Sequence, residues 1–359
     1  MAVKQRKQAP SHHTVGKHAA IVVKRLSLLP AGGKMRDLPK ELWHKSYLRT
    51  GEKKTGGPNI RMLRLSPDKP SNTVTAFIFN KFVHPVEHRY LTPREAARLQ
   101  GFPDDFDFAG PVTSVQTQIG NAVPVQLASA VADHVKRYME EKTRLKTEAL
   151  NAISLFTGAG GMDLGFGRHF NILAAVEFEK EFCATLRLNF PELNVLHADV
   201  CGVTAKAAAG SKRVHLVFGG PPCQSFSAAG KQRGFSDRRG QMVQEYTRIV
   251  DEAQADFFVM ENVPGMLGID SGRLVQDIVR GFNDIGYLVE THVLCAADYG
   301  AAQMRRRLFF LGRKSKYKDP MGPPPKTHSD SPTLFGEKPY RGVMDAIGDL
   351  PSPTSRYDD

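Results

Sequence analysis

The hydrophobic pattern of the chain changes character near residue 151. From there on, short apolar runs alternate with stretches of helical periodicity. The clearest runs are AISLF, ILAAVEF, VHLVFGG, DFFVMEN and RLFFLG, which start at residues 152, 172, 214, 256 and 307. Such an alternation indicates a mostly parallel sheet with helices on both faces. The pattern therefore predicts an α/β fold with a doubly wound, Rossmann-like sheet.

Two helices are predicted ahead of this sheet. In LTPREAARLQGFP, Thr92 is a candidate N-cap, Pro93 suits the first helical position, Glu95 completes a capping box and Gly101 ends the helix. A second helix is expected to begin near Pro124, because apolar residues recur at helical spacing at Leu127, Val131, Val135 and Tyr138. The charged tail EEKTRLKTEAL that follows is expected to be an exposed linker.

The first part of the chain has shorter elements. Between residues 14 and 85, brief apolar runs alternate with turns such as PAGGK, TGGPN and SPDKPSN, and the clearest strand is TVTAFIF, residues 73–79. We therefore expect a second, smaller, mainly β domain over residues 1–113, of which residues 1–13 are disordered. Residues 114–318 would form the α/β domain, and residues 319–359 would connect back toward the small domain.

The positive charge is concentrated in the small domain. Residues 1–90 hold 18 of the 49 lysines and arginines and 5 of the 37 acidic residues, a balance of +13. The remainder holds 31 basic and 32 acidic residues, a balance of −1. A local basic block is typical of a surface that binds nucleic acid. The alternative at this point is a solvated basic arm without a ligand.

The composition is that of a globular chain. No apolar run approaches the ~18 residues needed to span a membrane, and no signal region follows the basic N-terminus. The four cysteines show no metal-ligand spacing, so we expect a reduced cytoplasmic setting and no metal site. His12 and His13 have no partner ligands at useful spacing, and we assign them to a flexible tail.

A glycine-rich turn follows the first predicted strand of the sheet. In TGAGGMDLGF, the glycines allow a tight turn and a close approach of a ligand to the next helix. Glu177 ends the following strand, 19 residues after Gly158, where a carboxylate can bind ribose hydroxyls, and Asp199 could accept from an adenine amino group. This arrangement fits NAD and S-adenosylmethionine alike, and a turn without a ligand is the alternative.

One cysteine lies in a segment unlike a protein core. Cys223 follows two prolines in GGPPCQSFSAAGK, directly after a predicted apolar strand. Three other polar residues also lie at the ends of predicted strands. They are Glu261 in VMENVPGM and both Arg305 and Arg307 in QMRRRLFFLG. Such groups would meet at one edge of the sheet. A thiolate that attacks C6 of cytosine, with polar groups at ring N3 and the ring oxygen, lets C5 accept a methyl group. The thiol favours S-adenosylmethionine over NAD, because hydride transfer needs no such nucleophile. Taken singly, each residue could instead be structural.

Six blocks together resemble the cytosine-C5 DNA methyltransferase family. They are RYLTPREAARLQGFP, QIGNAVP, SLFTGAGGMDLGF, GGPPCQSFS, MENVPGM and QMRRRLFFLG, and they lie within residues 84–313. The resemblance implies the S-adenosylmethionine-dependent methyltransferase fold. It also implies methyl transfer to C5 of a flipped-out cytosine in a specific duplex DNA sequence, through a covalent Cys–C6 intermediate.

The resemblance further implies roles for single residues. Cys223 would be the nucleophile, and Glu261 would contact cytosine N3 and the exocyclic amine. Arg307 would contact the ring oxygen, and Arg305 would help to hold the phosphate and the catalytic loop. The S-adenosylmethionine pocket would be lined by Phe156, Gly158, Gly160, Glu177, Asp199, Pro222 and Asn121. The loop SAAGKQRGFSDRRG would close over the extruded base.

The order of the blocks departs from that of the family. Blocks at Leu91–Pro103 and Gln118–Pro124 close the chain in the family, whereas here they precede SLFTGAGG. We therefore interpret the chain as circularly permuted, with both ends in one surface loop and a new join near Glu140–Leu150. The target-recognition element of the family would then be residues 14–85, where the positive charge lies, and SNTVT, Ser71–Thr75, would approach the bases.

The sequence thus predicts a DNA (cytosine-5-)-methyltransferase that acts as a monomer on double-stranded DNA. The family suggests a restriction–modification setting with a cognate endonuclease. Two alternatives stay open: a DNA-binding regulator that keeps the fold without turnover, and an RNA cytosine-C5 methyltransferase on a related scaffold. The intact set of Cys223, Glu261 and Arg307 argues against the regulator.

Overall fold

The structure of the chain, a computed structural model, describes residues 10–50, 53–54, 57–58, 62–76, 81–143, 150–222, 238–332 and 336–355. Cys223 lies outside the described residues, as do residues 227–237 of the predicted loop after it and most of the predicted linker, at 144–149. The last three residues of the predicted loop, 238–240, are described and begin a helix instead, because their backbone hydrogen bonds belong to its first turn. Among the helices that are described, none is both long and apolar enough to cross a membrane.

The small region contains helices as well as short strands. Helices α1 and α2 cover Ala20–Leu28 and Lys45–Thr50. The described strands β1 to β6 have two residues each and lie at Thr14–Val15, Lys53–Lys54, Gly57–Pro58, Leu63–Arg64, Ser71–Asn72 and Phe82–Val83. The region is therefore less rich in strand than the predicted mainly β domain. The reason is that Val22, Leu26 and Leu29 recur at helical spacing and pack into one small core.

A buried arginine closes this small core. Arg64 is 3% exposed, and its guanidinium donates to the backbone carbonyls of Leu29 and His84 at 2.7 and 2.6 Å and to that of Leu26. The buried charge is thus stabilised by backbone dipoles from both sides of the core.

The predicted helix in LTPREAARLQGFP is confirmed as α3, Pro93–Leu99. Its capping box is present, because Thr92 Oγ1 accepts from the N–H of Glu95 at 3.2 Å and the Glu95 carboxylate accepts from the N–H of Thr92 at 2.7 Å. The residues from Leu91 to Phe108 pack in the core of the large sheet. These elements therefore share the larger core although they precede the predicted domain boundary at residue 113.

Two further helices precede the sheet. Helix α4, Val112–Asn121, was not predicted, because only Val115 and Ile119 give it an apolar spacing of one turn. Helix α5, Val125–Thr143, confirms the second predicted helix, and its apolar stripe is buried.

Seven strands within the described residues form the central sheet. In chain order they are β7 to β12 at Asn151–Leu155, Asn171–Glu177, Val195–His197, Leu216–Gly219, Phe257–Asn262 and Tyr287–Cys295, and β14 at Arg306–Lys314. Strand β13, Gln303–Met304, pairs instead with β5. The spatial order in the sheet is β12-β14-β11-β10-β7-β8-β9. Only β14 runs against its neighbours, so the predicted mostly parallel sheet is confirmed.

Helices cover both faces of the sheet, because alternate residues of each strand point to opposite sides. Phe309 and Leu311 enter a core with α3, α4, α5 and α6, Gly161–Phe166. Leu308 and Phe310 enter a second core with α8, α9 and α10, at Ala205–Ala209, Arg238–Glu252 and Arg273–Asp284. Helix α7, Lys180–Asn189, joins the first core through Leu186. This is the predicted doubly wound arrangement.

The predicted strand at residues 73–79 is absent from its described part. Residues 73–76 are irregular, and residues 77–79 lie outside the described ranges. The N–H of Val74 donates to Gln303 Oε1 at 2.8 Å, and the carbonyl of Val74 accepts from Arg305 Nη1 at 2.5 Å. Because side chains satisfy both backbone groups, Val74 needs no neighbouring strand.

The two described ends of the chain meet. After β14 the chain forms β15, β16, α11 and β17 at His328–Ser329, Lys338–Pro339, Met344–Ile347 and Thr354–Ser355. Strand β17 pairs in parallel with β1, with Thr14 opposite Thr354. Just before it, His13 Nε2 lies 2.7 Å from the carbonyl oxygen of Pro351, and the carbonyl of Ser11 accepts from Arg94 Nε at 3.0 Å. The prediction of disorder is therefore wrong for residues 10–13, which Arg94 and the C-terminal segment hold in place.

Candidate active site

The carboxyl ends of the central strands bring several predicted site residues to one edge of the sheet. Strands β7, β10 and β11 are parallel neighbours, with Leu155, Gly219 and Met260 in register. The glycine turn follows β7, and Glu261 lies near the end of β11. Strand β10 is followed by the PPC segment, residues 221–223, of which the structure describes Pro221 and Pro222. Strand β14 runs the other way, so Arg307 near its start also lies at this edge. Doubly wound sheets place their ligands at the same edge.

Glu261 and Arg307 form an ion pair there. Arg307 Nε lies 2.7 Å from Glu261 Oε1, and Arg307 Nη1 donates to the carbonyl of Arg306 at 2.8 Å. The side chains of Glu261 and Arg307 are 12% and 13% exposed, so the pair is largely desolvated but still reaches the surface. Burial raises the pKa of Glu261, although Arg307 and Arg305 lower it in part. A carboxyl group with a raised pKa is better suited to hold and donate a proton.

The PPC segment starts directly beside this pair. A Cβ atom at Gly220 would lie 2.8 Å from Glu261 Oε2, so glycine allows the carboxylate to rest against the end of β10. Asn262 Nδ2 donates to the carbonyl of Pro221 at 3.1 Å and ties the segment to β11. Cys223, two residues after Pro221, is outside the described residues, and its predicted role stays a prediction.

The glycine turn after β7 has the backbone shape that the sequence predicted. Phe156, Gly158 and Gly160 have φ angles of 52°, 62° and 87°, in the left-handed region. A Cβ atom at Gly160 would press on the side chains of Leu186 and Phe190, whereas one at Gly158 would meet nothing within 4 Å. The backbone at Gly158 is therefore open to the approach of a ligand.

Glu177 is linked to this turn. Its Oε2 accepts from the N–H of Gly158 at 2.7 Å, and its Oε1 accepts from the N–H of Glu179 at 2.8 Å. Burial raises the pKa of Glu177, while these two N–H groups lower it. Each carboxylate oxygen keeps a second lone pair that can accept from a hydroxyl group. A buried carboxylate beside an open glycine backbone fits the ribose of a nucleoside cofactor.

The remaining predicted pocket residues are exposed. Asp199 follows β9 and accepts from the N–H of Cys201 at 3.0 Å. Asn121 is the last residue of α4, and Pro222 follows the end of β10. Asp199 thus adds a second carboxylate to that of Glu177 at this edge of the sheet. The two carboxylates and the open backbone at Gly158 fit S-adenosylmethionine, as the sequence predicted.

Two further residues at the glycine turn were not predicted. Phe178, directly after Glu177, is 64% exposed although it is a large aromatic residue, and such a ring can stack on a base. Asp163, in the first turn of α6, is completely buried, and neither of its carboxyl oxygens has a hydrogen-bond partner among the described residues. The signals in the sequence were an aromatic residue at a strand end and an acid inside a glycine-rich turn.

Arg305 lies away from the solvent edge. It is 1% exposed, and its guanidinium donates to the backbone carbonyls of Val74, Gly120 and Asn121. Burial lowers the pKa of Arg305, and the neighbouring Arg307 lowers it further. The side chain predicted to help hold a phosphate and a loop is thus engaged with the backbone of two other segments.

Comparisons with known proteins identify the family of the chain. A family model described as C-5 cytosine-specific DNA methylase matches residues 4–137 and 150–356. The type II methyltransferase M.AquIA of Picosynechococcus sp. is 41% identical over 222 residues, which cover 56% of this chain and 89% of that protein. The type II methyltransferase M1.HphI of Haemophilus parahaemolyticus is 40% identical over 209 residues, and the match covers 56% of this chain and 53% of that protein.

A solved structure is also similar to part of the chain. It is that of a protein assigned as a DNA modification methyltransferase and encoded within a prophage of E. coli. The sequence identity is 31%, the TM-score is 0.46, and the match covers 56% of this chain and 56% of that one.

Proposed function

This chain belongs to the family of C-5 cytosine-specific DNA methylases, and we propose that it transfers the methyl group of S-adenosylmethionine to C5 of a cytosine in a specific duplex DNA sequence. The target base leaves the stack before it reacts, because C5 and C6 are covered by neighbouring bases within a duplex.

The Glu261–Arg307 ion pair is the observation that carries this proposal. The two residues are 46 positions apart in the sequence and lie on different strands. Arg307 Nε and Glu261 Oε1 are nevertheless 2.7 Å apart, on the edge where doubly wound sheets bind ligands. Gly220 places the start of the PPC segment against the same carboxylate. The acid and the cation thus meet at one desolvated edge, and Cys223 follows Pro222 in the sequence. An acid, a cation and a thiol are the groups that methylation of a pyrimidine carbon requires.

Cys223 supplies the nucleophile in the proposed reaction. Its thiolate forms a bond to C6, while Glu261 holds a proton at ring N3 and Arg307 donates to the ring oxygen, so that electron density builds at C5. C5 then takes the methyl group. Loss of the proton from C5 and departure of the sulfur from C6 restore the aromatic ring and the thiolate. The raised pKa of Glu261 supports its role as the acid.

S-adenosylmethionine supplies the methyl group as an electrophile. We assign its binding to Phe156, Gly158, Gly160, Glu177, Asp199, Pro222 and Asn121, as the sequence predicted, and we add Phe178. The open backbone at Gly158 and the carboxylate of Glu177 support this assignment. Phe178 offers an exposed ring for an adenine to stack on.

Residues 14–85 read the DNA in this proposal. Their basic excess favours contact with phosphates, which fixes the position of the protein, while fewer side chains specify the sequence. Within the described part of this region, the segment 71–76 lies against β13 and α4, next to the catalytic edge. This is the segment expected to approach the bases.

A trapping experiment tests the proposed reaction. Random-sequence duplex DNA that carries 5-fluorocytosine is incubated with the protein and S-adenosylmethionine, and denaturing electrophoresis detects a covalent adduct. The fluorine at C5 cannot leave as a proton, so the intermediate accumulates. We expect an adduct with the parent and with Cys201→Ser, a control at an exposed thiol. Cys223→Ser should give no adduct and should lose methyl transfer by about 10³-fold or more.

The comparison of the variants decides the role of the thiol. Cys223→Ser should bind S-adenosylmethionine like the parent, since the side chain is not assigned to that pocket. An adduct with Cys223→Ser, or none with the parent, would overturn the proposed mechanism.

The order of the blocks supports a circular permutation of the family fold. Helices α3 and α4 carry blocks that close the chain in the family, yet they precede β7 here. The parallel pairing of β1 with β17 holds the two described ends together, as an exchange of the two parts of the chain requires. We place the new join in the segment between α5 and β7.

The two curated relatives described above are named type II methyltransferases, which supports a restriction–modification setting. We propose that a cognate endonuclease recognises the same DNA site and that the enzyme works as a cytoplasmic monomer on double-stranded DNA.

A further inference from the structure

Two buried side chains fix the segment 71–76 to the strand that carries Arg307. Gln303 Oε1 accepts from the N–H of Val74, and Arg305 Nη1 donates to the carbonyl of the same residue. Gln303 is 0% and Arg305 is 1% exposed, so water does not compete for these hydrogen bonds. Thr73 Oγ1 adds a hydrogen bond to the carbonyl of Met304 at 3.0 Å.

The same side chains reach the end of α4 that faces the cofactor site. Arg305 Nη2 donates to the carbonyls of Gly120 and Asn121 at 2.9 and 3.4 Å. Gln303 Nε2 donates to Gln100 Oε1 at 2.9 Å, and Gln100 in turn donates to carbonyls at the end of α4. Asn121 is one of the residues assigned to the S-adenosylmethionine pocket.

The segment 71–76 also lies in direct contact with α4. A Cβ atom at Gly120 would collide with the backbone of Thr75 and Ala76, so glycine is required where the two segments cross. Neither segment can therefore shift without moving the other.

The catalytic pair is fixed to the same structure. Arg307 follows Arg305 by two residues along the chain and contacts Glu261. One short stretch, residues 303–307, thus contacts the segment 71–76, the end of α4 and the carboxylate of Glu261.

On the basis of the proposed function, we infer that Gln303 and Arg305 are positioning residues that couple the binding of DNA to the binding of S-adenosylmethionine. Asn72 and Thr75 are exposed, whereas Val74 between them is buried, and DNA bound by these two residues shifts residues 71–76. The hydrogen bonds of Gln303 and Arg305 pass this shift to Asn121. By linkage, each ligand tightens the binding of the other by the same factor.

Calorimetry with the full chain tests this inference. The dissociation constant of S-adenosylhomocysteine is measured alone and with saturating random-sequence duplex DNA, which contains every short target site. We expect DNA to tighten its binding to the parent by about tenfold. Gln303→Met keeps the length of the side chain but removes its hydrogen bonds, and it should reduce this factor to about twofold or less. Binding without DNA should change little, because Gln303 is not assigned to the pocket.

A second variant and a control complete the test. Arg305→Lys keeps the charge but cannot bridge three carbonyls, and it should reduce the coupling in the same way if Gln303→Met fails to fold. Arg306→Lys alters an exposed neighbour and should keep the coupling of the parent. The inference would be overturned if DNA tightened S-adenosylhomocysteine binding to a folded Gln303→Met or Arg305→Lys variant by the same factor as to the parent. It would also be overturned if DNA did not change the binding of S-adenosylhomocysteine to the parent. Because these measurements need no methyl transfer, an inactive parent that shows coupling would refute only the proposed reaction.

Discussion

At the scale of single residues, Asp163 is a group whose charged form the fold disfavours. It is completely buried in the first turn of α6, and its carboxyl oxygens have no hydrogen-bond partner among the described residues. Burial raises the pKa of Asp163 from 3.8 to about 7, and the neighbouring Glu177 raises it further, whereas Ser154 lowers it. The folded protein therefore holds a proton that the unfolded chain releases in mildly acidic solution.

This difference makes the stability depend on pH in a defined direction. Between the unfolded pKa of 3.8 and the folded pKa of about 7, the folded state binds more protons. The contribution of Asp163 to the free energy of unfolding is therefore full below this window and falls as the pH rises through it, by up to about 4 kcal/mol. Asp163→Asn should remove this slope, which urea unfolding at a series of pH values measures. The exposed control Asp270→Asn should keep the slope, and an equal slope in Asp163→Asn would contradict the assignment.

At the scale of elements, helix α3 depends on its first turn. Thr92 Oγ1 accepts from the N–H of Glu95 and lies 2.9 Å from His13 Nδ1, so one hydroxyl group joins the helix to the N-terminal segment. Glu95 also forms an ion pair with Arg89 at 2.7 Å. The cap therefore links α3 both to the chain before it and to the described N-terminal end.

Thr92→Ala should lower the free energy of unfolding by about 1–2 kcal/mol, because it removes an N-cap and leaves buried polar groups without a partner. Thr92→Ser keeps the hydroxyl group and should recover most of the loss. Urea denaturation of the three proteins gives the comparison. If Thr92→Ser and Thr92→Ala lowered the free energy of unfolding equally, the hydrogen bonds of the hydroxyl group would not be the cause of the loss.

The elements that the sequence predicted well are those with local causes. The capping box of α3, the apolar stripe of α5 and the glycine turn after β7 depend on residues within a few positions of each other. The irregular path at Val74 could not be predicted, since its hydrogen bonds come from Gln303 and Arg305, more than 200 positions away. The antiparallel direction of β14 is likewise set by tertiary packing.

The candidate site divides in the same way. The sequence predicted that Glu261 and Arg307 would meet, because both lie at strand ends, and the structure joins them. It did not predict the burial of Arg305, because three arginines in a row give no sign of which one points inward. Phe178 was also missed, since its exposure depends on the fold around it.

At the scale of the whole molecule, the two described ends of the chain lie side by side and are joined by hydrogen bonds. Strands β1 and β17 pair in parallel, and His13 contacts Pro351 next to them. Residues 342–344 pack on residues 67–69, where the N–H groups of Val343 and Met344 donate to the carbonyls of Lys69 and Pro67. The C-terminal part of the described chain thus contacts the small region at residues 67–69.

A reordered chain tests the permutation. It begins at residue 150, runs to residue 355, continues through a glycine-rich linker to residue 10 and ends at residue 143. We expect it to fold and to methylate DNA like the parent, because every described element keeps its neighbours. Methyl incorporation from S-adenosylmethionine and thermal unfolding are the measurements. A control that uses the same linker but opens the chain at Val131, inside the buried stripe of α5, should not fold. Loss of folding in both chains would argue against the permutation.

The crossing of residues 75–76 over Gly120 limits how such an enzyme can acquire a new target site. An insertion or deletion within 71–76 would displace the last turn of α4 and with it the proposed cofactor pocket, so we expect changes of backbone length there to weaken cofactor binding. Replacement of the outward side chains at Asn72 and Thr75 leaves the crossing intact. Libraries designed to alter which bases are read should therefore vary these two positions at constant length, and place any added residues in the parts of the small region that do not touch α4.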